Sequence, residues 1–145
     1  MSTAYALTLP GAGAVQVPPH ERVVLPNGAT LLIVPQRDVP LVAFQAVLRG
    51  GPLGDPVQEI TEGSGAAYGA GVASLVAGLL EKGAGDRDAF AFADAVEGAG
   101  GNFSVSPGSE AIAISGQYLA RDQQLMIELL ADALMRPRFD PEEFE

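Results

Sequence analysis

The segment from Gly71 to Gly83 constrains the fold most, because its apolar residues recur with the period of an α-helix. The apolar residues at this spacing are Val72, Leu75, Val76, Leu79 and Leu80, and they predict a stripe buried against the rest of the protein. The opposite face carries the small residues Ser74, Ala77 and Gly78 instead of the large polar side chains usual on a surface helix. We therefore expect either a close neighbour on this face or a former site of chemistry.

Gly78 strengthens this expectation, because glycine inside a helix costs about 1 kcal/mol relative to alanine. An unfavourable residue at such a position predicts that another backbone packs against the helix there. That neighbour can come from the same domain or from a partner chain.

The rest of the chain alternates between patterns typical of strands and of helices. The predicted strands are 22–25, 30–34, Leu41–Arg49, 103–106 and Ala111–Leu119, and the predicted helices are 71–83, 86–97 (or 88–97) and 121–135. Their order, β-β-β-α-α-β-β-α, indicates an α+β fold with helices packed on one face of an antiparallel or mixed sheet. Both alternating sets of Leu41–Arg49 are mostly apolar, so we expect this strand to be central and covered on both faces.

Composition limits the classes of partner. The 145 residues are 48% hydrophobic and suffice for one sizeable core. The formal net charge of −10 argues against binding to nucleic acids or anionic membranes, both of which need basic surface. No apolar run reaches about eighteen residues, so no membrane span is predicted, and no signal peptide is visible at the N-terminus. The compartment therefore stays unassigned.

The chain contains few of the residue types that bind zinc. A catalytic zinc ion takes three protein ligands drawn from histidine, cysteine and carboxylates. This chain has no cysteine and a single histidine, His20, which lies between Pro19 and Glu21. Any metal site would need carboxylates almost alone, which suits magnesium or calcium better than zinc. We expect no metal ion and no other cofactor in this chain.

The helical segment also resembles a known motif. The residues that match the frame G-L-A-H-x-L-E-H-x-L-x-K-G are Gly71, Ala73, Leu80, Lys82 and Gly83. On these residues the chain resembles the insulinase/pitrilysin metallopeptidases, which include mitochondrial processing peptidase and carry the inverted zinc motif H-x-x-E-H. The two histidine positions fall on Ser74 and Gly78, and the glutamate position falls on Ala77. The resemblance thus implies a degenerate motif, no catalytic residues and no metal ligands.

Further matches follow in the family's order and cover roughly residues 22–145. They are 24–28 with 31–35, 47–51, 100–106, and 130–132 with 137–139. The chain departs from the family in a longer connection between Gly51 and Gly71, and in Ser104 and Val105, which replace asparagine and alanine. By resemblance, the strand with Ser104, Val105 and Ser106 offers its edge to an extended peptide through backbone hydrogen bonds.

The resemblance also implies a domain organisation. Residues 1–20 form an extended lead, and 21–145 form one α+β domain, a sandwich like half of a metallopeptidase. This domain resembles the N-terminal part of a longer, duplicated protein. Zinc is then expected only in an active partner or in a second repeat.

Three functions remain open. In the first, the chain is a non-catalytic partner or substrate-binding subunit, paired with an active peptidase homologue as a heterodimer. In the second, it belongs to a zinc peptidase whose active motif lies in a C-terminal repeat. In the third, it is a purely structural assembly subunit. The resemblance is compatible with an exported, periplasmic bacterial protein.

Overall fold

The computed structural model describes residues 17–52 and 71–144. The first part of the predicted lead and the glycine-rich connection 53–70 lie outside the described residues. Contacts within the chain divide it into two units, Met1–Val39 and Pro40–Glu145, and each unit is described by itself. The prediction of one domain over 21–145 stays a prediction.

The first unit contains a β-hairpin. Strands β1 (Glu21–Val24) and β2 (Thr30–Ile33) pair in antiparallel fashion. Gly28 has a φ angle of 85° in the turn, and its N–H donates to the carbonyl oxygen of Leu25 at 2.9 Å. A positive φ costs glycine little, and this suits Gly28 to the turn between the two predicted strands.

The second unit contains the sheet and the helices. Its main elements are β3 (Leu41–Arg49), α1 (Val72–Leu79), β4 (Gly83–Ala84), β5 (Arg87–Asp88), α2 (Ala89–Gly98), β6 (Asn102–Pro107), β7 (Ala111–Leu119) and α3 (Gln123–Met135). Single 3₁₀ turns occupy Ala120–Asp122 and Pro141–Phe144. The predicted order is confirmed, apart from the very short strands β4 and β5, which the sequence analysis did not anticipate. In the described part of the chain, none of the helices has the length and apolar character needed to span a membrane.

The main sheet has the strand order β3-β7-β6, and every pairing is antiparallel. Strand β7 lies in the middle, so the expectation that Leu41–Arg49 is central is wrong for the described sheet. The expectation that both faces of this strand are covered is also wrong. Leu41 and Val47 belong to the face away from the core, and they are 41% and 64% exposed. That face also carries the small residue Ala43 and the uncharged polar residue Gln45, which lower the cost of exposing it to water.

The helices cover one face of this sheet, which we call the helix side; the opposite face is called the outer side. Two clusters of buried residues form the core there: Phe92, Val96, Tyr118, Met126 and Leu129 belong to the first, and Ala77, Leu80, Ile112 and Ile114 to the second. Each large side chain buried in this way contributes about 1.5–3 kcal/mol. The predicted α+β sandwich with helices on one face is thus confirmed.

Helix α2 begins where its sequence predicted. Asp88 is the N-cap, and its Oδ1 accepts a hydrogen bond from the N–H of Ala91 at 2.8 Å. After the helix, Gly100 adopts a φ angle of 64°, and its N–H donates to the carbonyl oxygen of Glu97 at 2.8 Å. Local capping chemistry therefore fixes both ends of this helix.

Strands β4 and β5 attach to helix α3 through an ion cluster. Asp132 accepts from Arg136 Nη2 at 2.7 Å and lies 3.4 Å from Arg87 Nη1. The hydrogen bond and the charge of Asp132 raise the pKa of Arg136. Gly85 donates its N–H to the carbonyl oxygen of Arg136 at 2.9 Å. Arg87 is therefore an ion-pair partner of Asp132 that links β5 to α3.

Candidate functional site

Helix α1 presents Ser74 and Gly78 at the surface but buries Ala77. Ala77 is 0% exposed and packs with Leu80 and Ile114 in the core. The expectation of three small residues on one exposed face is therefore correct for Ser74 and Gly78 and wrong for Ala77. The assignment of the three positions to a degenerate catalytic motif stays a prediction.

The predicted apolar stripe of this helix is also partly wrong. Val72 and Leu75 are 45% and 50% exposed, whereas Ala73 is buried. Two sets of apolar residues overlap on this helix. The set that contains Ala73 and Ala77 packs against the sheet, because small side chains allow the helix to approach more closely. The helix has only eight residues, so the spacing of its apolar residues does not show which of the two sets is buried.

Gly78 has open space around it. A Cβ atom built on this glycine meets no atom of residues 17–52 or 71–144 within 4 Å. Within these residues no backbone packs closely on the helix at Gly78, and packing by a partner chain stays a prediction. The helical cost of this glycine has no compensating contact there.

Metal-ligating side chains do not gather in the described residues. No group of three or more histidine, cysteine, aspartate or glutamate side chains among them could hold a metal ion. His20 lies in the first unit, with its Nδ1 atom 3.2 Å from the carbonyl oxygen of Pro18. Ala77 and Gly78 carry no side-chain donor atom at all. The expected absence of zinc from this chain stays a prediction.

Strand β6 forms an edge of the described sheet, and it pairs there with β7. It contains Ser104, Val105 and Ser106, the residues that the resemblance assigned to peptide binding. The predicted strand 103–106 is confirmed and is one residue longer at each end. Its proposed contact with peptide depends on which backbone groups face away from β7.

A hydrogen bond in the turn fixes the direction of those groups. The N–H of Gly108 donates to the carbonyl oxygen of Ala111 at 2.8 Å. In an antiparallel pair, hydrogen-bonded and non-hydrogen-bonded residues alternate. Gly108 and Ala111 form a hydrogen-bonded pair, so every second residue before Gly108 is also bonded to β7. These residues are Asn102, Ser104 and Ser106.

The outward residues of β6 are therefore Phe103 and Val105. Each directs one N–H and one carbonyl oxygen away from β7, and among the described strands none pairs with them. Pro107 has no N–H, so donors for an added strand end before it. Of the three predicted residues, only Val105 offers its backbone to a neighbour, and Phe103 was missed.

The side chains of β6 divide between the two sides of the sheet. Phe103 and Val105 are half-buried on the helix side, whereas Asn102, Ser104 and Ser106 are exposed on the outer side. The ring of Phe103 lies 5.3 Å from that of Phe92 in an edge-to-face arrangement. Edge-to-face packing favours a fixed ring position, so Phe103 anchors the strand to the helix layer.

The outer side next to β6 is polar but uncharged. Ser104 is opposite Ser115, and Ser115 is in turn opposite Gln45 on β3. Asn102 is opposite Gln117 in the next row. A shallow depression of about 520 Å³ lies over this area, lined by Ala43, Phe44, Gln45, Asn102, Ser115, Gly116 and Gln117.

A second hollow lies on the helix side, beside Phe103. It has a volume of about 270 Å³ and is lined by Glu81, Lys82, Ala89, Phe92, Ala93, Val96, Glu97 and Phe103. Its lining combines apolar side chains with charged ones, namely Glu81 and Lys82, which follow α1, and Glu97 of α2.

Comparison with known proteins gives similarity in structure only. No family model and no curated protein matches the sequence. A peptidase M16 inactive domain from Pseudomonas fluorescens superposes with a TM-score of 0.69 at 21% identity over 86% of this chain. A protease from Helicobacter pylori superposes with a TM-score of 0.69 at 21% identity over 88% of this chain.

The chain has the M16 peptidase fold. This confirms, at the level of the fold, the resemblance to the insulinase/pitrilysin (M16) family that the motifs indicated. The chain spans 28% of the length of each of these two proteins.

Proposed function

We propose that this chain is a non-catalytic, peptide-binding part of an M16-like assembly, and that it takes up an extended peptide as a strand added to β6. An active homologue or a second repeat supplies the zinc site. The observation that carries the proposal is the outward N–H and C=O groups of Phe103 and Val105 at a sheet edge.

The chemistry of the edge supports this role. Open edges invite pairing with other chains, and proteins usually protect them with charged residues, bulges or proline. Strand β6 has no charged residue from Asn102 to Pro107, and its single protective residue is the terminal proline. An edge that no strand of residues 17–52 or 71–144 covers is suited to binding by β-strand addition, in which main-chain hydrogen bonds provide affinity.

The chemistry of helix α1 supports the absence of catalysis in this chain. Peptide hydrolysis by the family's motif needs two histidine ligands and a general-base glutamate. The matching positions hold Ser74, Ala77 and Gly78. An alanine and a glycine offer no group to bind zinc or to accept a proton from water, and the serine oxygen is a poor substitute for imidazole.

A matched pair of variants at Val105 tests the proposal. Val105→Pro removes the outward N–H without breaking a hydrogen bond to β7, and proline is tolerated on edge strands. Val105→Ala keeps the N–H and loses a comparable part of the half-buried side chain. The assay is fluorescence anisotropy of a labelled, unstructured peptide of alternating threonine and valine, titrated with the full chain.

We expect Val105→Pro to weaken binding about tenfold relative to Val105→Ala, since the lost hydrogen bond and the blocked approach together amount to about 1.4 kcal/mol. Circular dichroism of both variants establishes that each is folded. If the two folded variants bind the peptide equally well, or if the wild-type chain binds none, the proposed function is wrong.

A further inference from the structure

A strand added to β6 would extend both sides of the sheet, because successive side chains of a strand point to opposite sides. The two sides differ at this edge: Val105 is half-buried on the helix side, and Ser104 is exposed on the outer side. A peptide residue opposite Val105 therefore lies on the helix side, and its neighbour opposite Ser104 lies on the outer side.

The helix side favours an apolar residue. Phe103 is half-buried there and lines the 270 Å³ hollow together with the apolar residues Phe92 and Val96. An apolar side chain beside these residues removes apolar surface from water, whereas a polar one there loses part of its hydration without a hydrogen-bond partner.

The outer side favours a small, uncharged polar residue. The side chains nearest to the edge there are Asn102, Ser104 and Ser106, followed by Ser115 and Gln117 on β7. Hydroxyl and amide groups both donate and accept hydrogen bonds, so they match uncharged polar partners. This area is free of charge although the chain carries a formal net charge of −10.

From this arrangement we infer that the peptide selected at β6 alternates in polarity, with apolar side chains beside Phe103 and Val105 and small uncharged polar side chains beside Asn102 and Ser104. The inference rests on the proposed function and adds the class of peptide that the same edge takes. A shift of the peptide by one residue would exchange its two sets of side chains, so the pattern also fixes its register.

Two peptides of identical composition test the inference. Both carry lysine pairs at their ends; in one, threonine and serine alternate with valine and leucine, and in the other, the polar residues precede the apolar ones as a block. The shared lysines make any general attraction to the acidic chain equal for both. We expect the alternating peptide to bind at least about fivefold more tightly in the anisotropy assay.

A charge introduced at Ser104 tests the placement of the polar set. We expect Ser104→Lys to tighten binding of an alternating peptide with glutamate at its polar positions by about two- to fivefold at low salt. Ser115→Lys is the matched control, because Ser115 is on the same side but one strand further from the edge. We expect no gain in that variant.

Equal binding of the alternating and block peptides, or equal gains in the two lysine variants, would overturn the inference. In that case Val105→Pro would still weaken binding of both peptides if the proposed function holds. Loss of any difference between Val105→Pro and Val105→Ala would instead refute the proposed function itself. The two failures are therefore distinguishable with one set of proteins.

Discussion

Replacement of Gly78 by alanine should stabilise the protein. Gly78 is in helix α1, and an added Cβ atom meets no atom of the described residues within 4 Å. The alanine methyl group therefore causes no clash, and alanine restricts the unfolded chain more than glycine does. Few glycines in this molecule combine a helical position with such open space.

The magnitude follows from helix propensity. Glycine costs about 0.5–1 kcal/mol relative to alanine inside a helix. Gly78 stands next to the last residue of α1, so we expect about 0.5 kcal/mol, at the lower end of this range. For a protein of this size, such a gain corresponds to a rise in melting temperature of about 2 °C.

The assay is thermal and urea unfolding followed by circular dichroism, with Gly101→Ala as the contrasting variant. A Cβ atom at Gly101 would overlap the ring of Tyr118, which is 1% exposed and has no room to move. We expect this variant to lose about 1–3 kcal/mol. A decrease in stability for Gly78→Ala would refute the reasoning and would revive the expectation that a backbone packs on this face of α1.

Three further predictions concern other positions. Asp88→Ala removes the N-cap of α2 and should cost about 1 kcal/mol in urea unfolding, whereas Asp94→Ala on the same helix should be nearly neutral. Asp132→Asn should cost about 1 kcal/mol at low salt and less at high salt, because it removes the charge that Arg87 and Arg136 share. Ala77→Glu should lower the free energy of unfolding by about 2–4 kcal/mol, because position 77 is 0% exposed; wild-type stability in that variant would contradict the burial of this residue.

Local chemistry made much of the fold predictable. Strand β7 has the predicted bounds Ala111–Leu119, and Asp88 caps α2 as one of the two predicted alternatives. Both features depend on residues close in sequence: alternation for the strand, and a side-chain oxygen before the helix for the cap. The ordered motif matches indicated the family whose fold the superpositions show.

Features that depend on tertiary packing were not predictable in the same way. The choice between Leu75 and Ala73 as a buried residue of α1 depends on how closely the helix approaches the sheet. The outward direction of the Phe103 backbone depends on its register with β7, which pairing between distant residues establishes. The strand Leu41–Arg49 is equally apolar on both faces, so its sequence did not distinguish a central position from an edge.

Pro107 limits what the open edge can do. Because the proline contributes no N–H, a visiting strand is held over a short stretch around Phe103 and Val105. Two copies of the protein joined edge to edge through such a stretch would share few main-chain bonds, which is too little for a continuous ribbon of stacked molecules. The missing N–H of this proline thus keeps any strand pairing at this edge short and discourages fibrillar self-assembly.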